Sequence, residues 1–173
     1  DCGLGKTLMQ LEWAHHVAEH THRPVLILCP LAVTGQTIKE GAKFGIEVAR
    51  YAGAPTSGIW ITNYEQLDGM DVSVFAGIVL DESSILKNFT GVYRNMITDA
   101  FATTPYKLAC TATPSPNDLN EIGNHSEFLN ILDAQDMRSR WFVRDEGMNN
   151  YRLKGHAKRD FYQWISSWAT MVS

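Results

Sequence analysis

Residues 1–7 of this chain read Asp-Cys-Gly-Leu-Gly-Lys-Thr. Glycines at positions 3 and 5 let the backbone turn tightly and bring its N–H groups close to a bound phosphate. A lysine and a threonine that follow such a turn are suited to contact the β- and γ-phosphates and Mg²⁺. Residues 8–18 then have a helical pattern, and phosphates bind at helix N-termini. The stretch therefore predicts a nucleotide site formed by Gly3, Leu4, Gly5, Lys6 and Thr7.

The composition is that of an ordinary globular domain. The 173 residues are 45% hydrophobic and 20% charged, which allows one domain with a sizeable core. No apolar run approaches ~20 residues, so we expect no membrane span. Cys2, Cys29 and Cys110 are widely spaced, without a CxxC pair. We expect Cys29 and Cys110 to be buried thiols in a reducing compartment, and the spacing argues against a zinc site.

Charge is distributed unevenly along the chain. The net charge is −4, yet residues 1–136 hold eight basic and sixteen acidic side chains, whereas residues 137–173 hold seven basic and three acidic ones. The first part is therefore not a basic nucleic-acid coat. The last part can face a polyanion, or it can be a solvated tail of mixed charge.

Short apolar runs alternate with helical patterns along the chain. We expect strands at 24–29, 46–51, 59–62, 75–80 and 106–110. Residues 33–43 and 91–102 have helical spacing, and Asp118 is a candidate N-cap for a further helix. Such alternation indicates an α/β fold in three layers, with a mostly parallel central sheet and helices on both faces. Ligands of such sheets bind beyond the carboxyl ends of the strands.

Two acids, Asp81 and Glu82, directly follow the apolar run at 75–80. This puts them at the carboxyl end of a predicted strand, where the loop at 1–7 should open. Asp81 is suited to bind Mg²⁺, and Glu82 is suited to orient and deprotonate an attacking water. With Lys6, they are the candidate catalytic residues.

Hydroxyl groups follow the last predicted strand, in the sequence Cys110-Thr-Ala-Thr-Pro114. In isolation this is an ordinary turn composition. Next to the paired acids, Thr111 and Thr113 can hydrogen-bond the carboxylates and sense a γ-phosphate.

In this order, the motifs resemble motifs I, II and III of superfamily-two helicases and translocases, of the Swi/Snf-type branch. Residues 30–40 resemble motif Ia of that branch and residues 61–67 its motif Ib. The branch also has Lys-Asn after motif II, as at 87–88 here, and an extension of motif III, as at 113–117. The match covers about residues 1–132 and is most similar to compact Swi/Snf-like helicases of phages and bacteria.

The resemblance implies a fold and an activity. Residues 1–136 would be the first RecA-like, P-loop ATP-binding lobe, and residues 137–173 an extension leading to a second lobe. ATP would be hydrolysed to ADP and phosphate to drive movement on DNA, which is a more expected partner than RNA. Thr7 and Asp81 would hold Mg²⁺. A cytoplasmic protein of a bacterium or a phage-infected cell is expected, with a nuclear location left open.

The resemblance also implies a nucleic-acid interface and a coupling element. The implied contacts grip the phosphate backbone and read no bases; they are Pro30, Lys39, Thr62, Asn63, Lys87 and Asn88. The residues implied in coupling nucleotide to nucleic acid are Ser84, Thr111 and Thr113.

This sequence departs from the family pattern in two motifs. Ser84 stands where motif II usually has histidine, and Thr37 where motif Ia usually has tryptophan. The resemblance further implies that a second lobe, with the arginine finger, follows Ser173. Since an arginine finger contributes about 10³–10⁵ in rate, we expect residues 1–173 alone to bind nucleotide weakly and to hydrolyse it negligibly.

The last 37 residues combine aromatic and basic side chains. Phe161, Trp164, Ile165, Trp168 and Val172 have helical spacing, which favours an amphipathic helix that packs on a RecA-like lobe. The alternative is a nucleic-acid contact by aromatics and arginines.

Two other functions remain open. A non-helicase P-loop ATPase would have no need of motifs Ia and Ib. A non-catalytic binding module would have no need to retain Lys6, Thr7, Asp81 and Glu82 together. A metal site on the histidines of the first helix is disfavoured, because His16 and His20 share a helix face but have no third ligand nearby.

Overall fold

The computed structural model describes residues 5–83, 86, 92–112, 119–144 and 151–170. The chain divides into two compact units. The first, called the sheet unit, comprises residues 2–83 and 99–112; the second, called the helical unit, comprises residues 84–98 and 113–173 together with Asp1. The boundary expected at residue 136 stays a prediction.

The sheet unit is built on five parallel strands. They are β1 (Val25–Cys29), β2 (Val48–Arg50), β3 (Ile59–Asn63), β4 (Gly77–Asp81) and β5 (Tyr106–Cys110). Their spatial order is β2-β3-β1-β4-β5, and every neighbouring pair is parallel. The predicted α/β fold with a central parallel sheet, of the RecA-like P-loop type, is confirmed.

Helices α1 (Lys6–Thr21) and α2 (Leu31–Lys43) pack on the sheet and contact each other. One core cluster joins α1, through Leu11, Ala14 and Val17, to alternate residues of β1 and β3. All five residues of β1 are buried, so both faces of the central strand are covered, as expected for a parallel sheet. Continuous apolar runs therefore mark the inner strands.

Of the two outer strands, β5 has the expected bounds, 106–110, and β2 is shorter than expected. β2 has three residues, not the six expected from the alternating run at 46–51. β5 lies at the opposite edge and is half-buried throughout, since only β4 flanks it. Cys29 is buried as predicted, but Cys110, at the end of β5, is only half-buried.

The helical unit contains α3 (Val92–Ala100), which runs on into the sheet unit, α4 (Ile122–Phe128), α5 (Ala134–Trp141), β6 (Phe142–Arg144), β7 (Tyr151–Leu153) and α6 (Lys158–Ser166). Strands β6 and β7 form an antiparallel pair. Four buried side chains form the centre of this unit: Met137, Trp141, Phe142 and Phe161.

Aromatic contacts dominate that centre. The Trp141 ring stacks on Trp164 with centroids 4.6 Å apart, and Phe142 meets Phe161 edge to face at 5.3 Å. Aromatic pairs in these geometries add stability beyond their buried area. The Trp141 indole N–H donates to Asp160 Oδ2 at 2.7 Å, so the buried ring has its polar group satisfied.

The helix expected near the end of the chain is present but shorter. α6 ends at Ser166, and Trp168 lies beyond it with its ring edge to face against Trp164 at 5.3 Å. Val172 lies outside the described residues. In the part of the chain that the structure describes, no helix is long and apolar enough to cross a bilayer.

Candidate active site

The candidate active site lies at the carboxyl edge of the parallel sheet, where α1 begins. Gly5 precedes α1 with φ 74° and ψ 17°, a left-handed conformation that glycine adopts without strain. The N-terminus of α1 has no side-chain cap and no acidic residue in its first turn. Uncapped N–H groups and a positive helix end fit a phosphate group, as the sequence predicts for Gly5, Lys6 and Thr7.

Lys6 and Thr7 are half-buried in the first turn of α1. Burial raises the pKa of the Cys110 thiol at the end of β5, and the positive charge of Lys6 lowers it. The negative charge of Asp81 acts on the same thiol in the opposite direction and raises its pKa. In α1, Lys6 lies one helical turn before Gln10, whose side chain is hydrogen-bonded to Asp81 at the end of β4.

Asp81 is the last residue of β4, and its carboxylate is fixed by Gln10. The Gln10 side-chain N–H donates to Asp81 Oδ1 at 2.8 Å. Gln10 is fully buried on α1, and its Oε1 has no partner among the described residues. One carboxylate oxygen is thus held by a neutral donor, and carboxylate oxygens are the ligands that Mg²⁺ prefers. The Asp81 carboxylate therefore has chemistry that fits the metal role predicted for it, and the same role of Thr7 stays a prediction.

Glu82 follows Asp81 in a left-handed conformation, with φ 59°. This region is disfavoured for non-glycine residues and is found where surrounding contacts impose it, often at functional sites. The Thr111 hydroxyl donates to Glu82 Oε1 at 2.7 Å. The backbone N–H of the next residue, Ser83, donates to the Cys110 carbonyl at 2.8 Å. The end of β5 therefore holds both the side chain of Glu82 and the backbone beside it.

Tyr64 contacts the same segment from the other side. Its hydroxyl donates to the backbone carbonyl of Asp81 at 2.6 Å. The ring is buried, and burial together with the negative charge of Asp81 raises the pKa of the hydroxyl well above its usual value. The hydroxyl therefore stays protonated and remains a donor.

Gln10 and Tyr64 were not among the predicted site residues. Gln10 stands four residues after Lys6, a spacing that puts two side chains on the same helix face, so the sequence held a signal for it. Tyr64 lies inside the stretch that resembles motif Ib, but nothing in the sequence indicates that its hydroxyl reaches the backbone of motif II. That contact depends on the pairing of β3 and β4 on either side of β1.

The predicted nucleic-acid contacts in the sheet unit lie at two places. Pro30 is the N-cap of α2, and Lys39 lies exposed on the same helix. Thr62 and Asn63 end β3. Thr62 is buried and its hydroxyl donates to Gln66 Oε1 at 2.6 Å, whereas Asn63 Oδ1 accepts from the Gln66 backbone N–H at 3.2 Å. The side chains of β3 are thus engaged in shaping the turn at 64–67.

Several predicted site residues lie outside the described residues: Gly3, Leu4, Ser84, Lys87, Asn88 and Thr113. Their roles stay predictions. Asp118, the candidate N-cap, also lies outside them.

Two histidines of α1 pair with acids of their own helix. His15 lies 3.4 Å from Glu19, and His16 lies 3.9 Å from Glu12, each at i,i+4 spacing on the surface. In the described ranges, no group of three or more histidines, cysteines and acids is placed to hold a metal ion.

Fold and site together define a RecA-like P-loop nucleotide-binding domain. A family model for the SNF2-related domain matches residues 1–159 of the chain. The chain therefore belongs to the SNF2-related domain family, and the resemblance to the Swi/Snf-type branch is confirmed. Proteins of this family are in general ATPase-like and helicase-like, use nucleotide and Mg²⁺, and act on nucleic acids.

The chain is also similar to a human protein, TATA-binding protein-associated factor 172. The two are 24% identical over 161 residues, which cover 75% of this chain and 9% of that protein. The chain thus spans less than a tenth of the length of this relative.

Proposed function

We propose that this chain is the ATP-binding lobe of a nucleic-acid-dependent ATPase of the helicase or translocase type. The observation that carries the proposal is that Asp81, Glu82 and Thr111 lie together at the carboxyl ends of β4 and β5, and that Gln10, one helical turn after Lys6 at the uncapped start of α1, is hydrogen-bonded to Asp81. These residues come from three segments of the chain, and together with Lys6 they supply the groups that phosphoryl transfer to water requires.

The role of each residue follows from its position. The N–H groups of Gly5 and the first turn of α1 would bind the phosphates, and Lys6 would neutralise negative charge on them. Asp81 and Thr7 would hold Mg²⁺, which, when bound, neutralises charge on the phosphate oxygens. Glu82 would align the attacking water and accept its proton, with its carboxylate oriented by Thr111.

We further propose that the nucleic acid is DNA and that it contacts the chain through its phosphates. Lys39 is exposed, and Pro30 at the start of α2 and Asn63 at the end of β3 are half-buried, whereas Thr62 is buried. The first three are therefore the more accessible of the proposed contacts that the structure describes. Backbone contacts of this kind carry no base readout and do not require a strongly basic domain, which is consistent with the acidic composition of residues 1–136.

Hydrolysis is proposed to need a second RecA-like lobe that supplies an arginine to the ATP site. The resemblance to the Swi/Snf branch supports this, and loss of such an arginine lowers rates by about 10³–10⁵. Residues 1–173 alone should therefore bind nucleotide and release almost no phosphate. Rapid DNA-stimulated hydrolysis by this chain alone would contradict the requirement for a second lobe.

For residues 137–173 we propose a structural role. Phe161 is fully buried and Trp164 stacks on Trp141, so the main aromatic side chains of α6 are used in the core of the helical unit. The alternative, a nucleic-acid contact, would rest on the exposed Tyr162 and the arginines instead. Replacing Arg140 and Arg159 with alanine should leave DNA affinity and its salt dependence unchanged; a smaller salt slope would favour the alternative.

The first test of the proposed function is nucleotide binding. Titration of the chain with a fluorescent ATP analogue and Mg²⁺ should give saturable binding, which Lys6→Ala should weaken by about tenfold or more through loss of a charge-assisted contact. Lys43→Ala is the matched control, because Lys43 lies exposed at the far end of α2 and its loss should change nothing. Equal affinities for the two variants would contradict the assignment of the site.

A further inference from the structure

The backbone of Glu82 is held from two sides by different segments. On one side the Tyr64 hydroxyl donates to the carbonyl of Asp81 at 2.6 Å. On the other side the N–H of Ser83 donates to the Cys110 carbonyl at 2.8 Å. The carbonyl of Asp81 that Tyr64 binds belongs to the peptide group that joins Asp81 to Glu82. Rotation of this peptide group would change φ of Glu82.

That φ is 59°, which a glutamate rarely adopts. A conformation of this kind persists only when its surroundings impose it. Ser83 is fully buried and anchored to the end of β5, so one flank of Glu82 is fixed by the sheet itself. On the other flank, the Tyr64 hydroxyl holds the backbone carbonyl of Asp81, and the Gln10 side chain holds the Asp81 carboxylate.

Tyr64 belongs to a turn that is held together by hydrogen bonds of its own. It is the first residue of a 3₁₀ turn, Tyr64–Leu67, whose N-cap is Asn63. Two hydrogen bonds of Gln66 close the turn: the Thr62 hydroxyl donates to Gln66 Oε1 at 2.6 Å, and the Gln66 backbone N–H donates to Asn63 Oδ1 at 3.2 Å. A shift of Asn63 therefore moves Tyr64 with it, because the two are adjacent and share this closed turn.

We propose that Tyr64 is a positioning residue that transmits nucleic-acid contact at Asn63 to the conformation of Glu82. This rests on the proposed function, in which Asn63 meets the phosphate backbone and Glu82 activates water. Phosphate binding at the turn would set the position of the Tyr64 hydroxyl, which holds the Asp81–Glu82 peptide. The carboxylate of Glu82 would then meet Thr111 and the attacking water in the productive geometry only when the turn is in place.

The test is a comparison of two conservative variants in the full-length protein, Tyr64→Phe and Tyr51→Phe. Tyr51 follows β2 in the same unit, and its ring packs against Phe75 at 6.2 Å. The Tyr51 hydroxyl makes no hydrogen bond within the described residues, so Tyr51→Phe is a matched control for the loss of a phenol oxygen. ATP hydrolysis is measured with and without DNA, together with the affinity for the nucleotide and the melting temperature.

Tyr64→Phe should lower the DNA-stimulated kcat by about 10–100-fold, the range in which misplacement of a catalytic group falls. KM for ATP should stay within about twofold, because the phosphate loop and Lys6 are untouched. Tyr51→Phe should behave as the unchanged protein. A purely structural role would lower the melting temperature of Tyr64→Phe and leave its kcat equal to that of Tyr51→Phe, which would overturn the inference.

The failure of the proposed function would look different. If the wild-type protein hydrolyses no ATP, or hydrolyses it equally with and without DNA, the proposal of a nucleic-acid-dependent ATPase is refuted. The inference about Tyr64 then fails with it. If DNA stimulates hydrolysis by the wild-type protein, and stimulates the Tyr64→Phe variant to the same extent, only the inference about Tyr64 is refuted.

Discussion

Thr111, one residue beyond the end of β5, donates a 2.7 Å hydrogen bond to Oε1 of Glu82, one residue beyond the end of β4. The two strands are neighbours, with Asp81 paired to Cys110 in register. The contact therefore follows directly from the sheet, and it gives the candidate general base a fixed orientation. A hydrogen bond to a carboxylate is stronger and shorter than one between neutral groups, so this contact should matter for hydrolysis.

Thr111→Val, which keeps the shape of the side chain and removes the hydroxyl, should lower the DNA-stimulated hydrolysis rate of the full-length protein by about tenfold through loss of this orientation. Nucleotide affinity should be retained, since the phosphate loop is unaffected, and Thr111→Ser should restore the rate. Thr103→Val, at an exposed position before β5, is the control. A rate for Thr111→Val equal to that of the control would show that the hydroxyl plays no part in hydrolysis.

Gln10 should tune the metal site through Asp81. Gln10→Met keeps the volume of the side chain and removes the 2.8 Å hydrogen bond to Asp81 Oδ1. Because groups that orient a metal ligand typically contribute about 10–100-fold in metal affinity, the Mg²⁺ concentration that half-saturates ATP binding should rise. The measurement is a Mg²⁺ titration of fluorescent-nucleotide binding. Gln36→Met, on the exposed face of α2, should leave the titration unchanged, and the idea fails if both variants titrate alike.

Two glycines of α2 should respond oppositely to alanine. A Cβ at Gly41 would lie 2.6 Å from the backbone oxygen of Ile46, so Gly41→Ala should cost about 1–3 kcal/mol as the turn after α2 is displaced. A Cβ at Gly35 would meet nothing closer than the Arg50 guanidinium at 3.8 Å. Gly35→Ala should therefore stabilise the helix by up to about 1 kcal/mol. Chemical denaturation of both variants tests the pair, and a stable Gly41→Ala would show that the turn is loosely packed.

Adjacent aromatic residues of α6 should differ sharply in their effect on stability. Phe161 is fully buried in the core of the helical unit, whereas Tyr162 is 45% exposed. Phe161→Ala should cost about 3–5 kcal/mol, and Tyr162→Ala should stay within about 0.5 kcal/mol of the unchanged protein. Near-ultraviolet circular dichroism and denaturation would report both. Equal, small effects would mean that residues 137–173 do not form the core described above.

Most of the fold follows from patterns in the sequence. The run Val25–Cys29 is apolar at every position, which is the pattern of a strand buried on both faces, and it is the central strand. The edge strand β5 has its predicted bounds, but the other edge strand, β2, is harder to delimit from the sequence, because its burial depends on neighbours that the sequence does not specify. The run at 46–51 alternates as a strand should, yet only Val48–Arg50 pairs with β3.

The sequence predicts those residues of the candidate site whose type alone indicates a chemical role. Lys6, Asp81 and Glu82 are ionisable groups in motifs, and their strands end at one sheet edge, so their convergence could be expected. Gln10 and Tyr64 act through a neutral amide and a phenol, which are common in cores and mark no chemistry by themselves. The left-handed φ of Glu82 was equally hidden, because sequence patterns indicate such a conformation only where glycine or asparagine stands.

The central claim is that Glu82 activates water for ATP hydrolysis that depends on nucleic acid. The most direct test is the rate of phosphate release by the full-length protein with and without DNA, for the unchanged protein and for Glu82→Gln. We predict a rate that rises with DNA in the unchanged protein and falls by about 10³-fold or more in Glu82→Gln, with ATP binding retained. Phosphate release by Glu82→Gln at the rate of the unchanged protein, or a rate that DNA does not alter, would contradict the account.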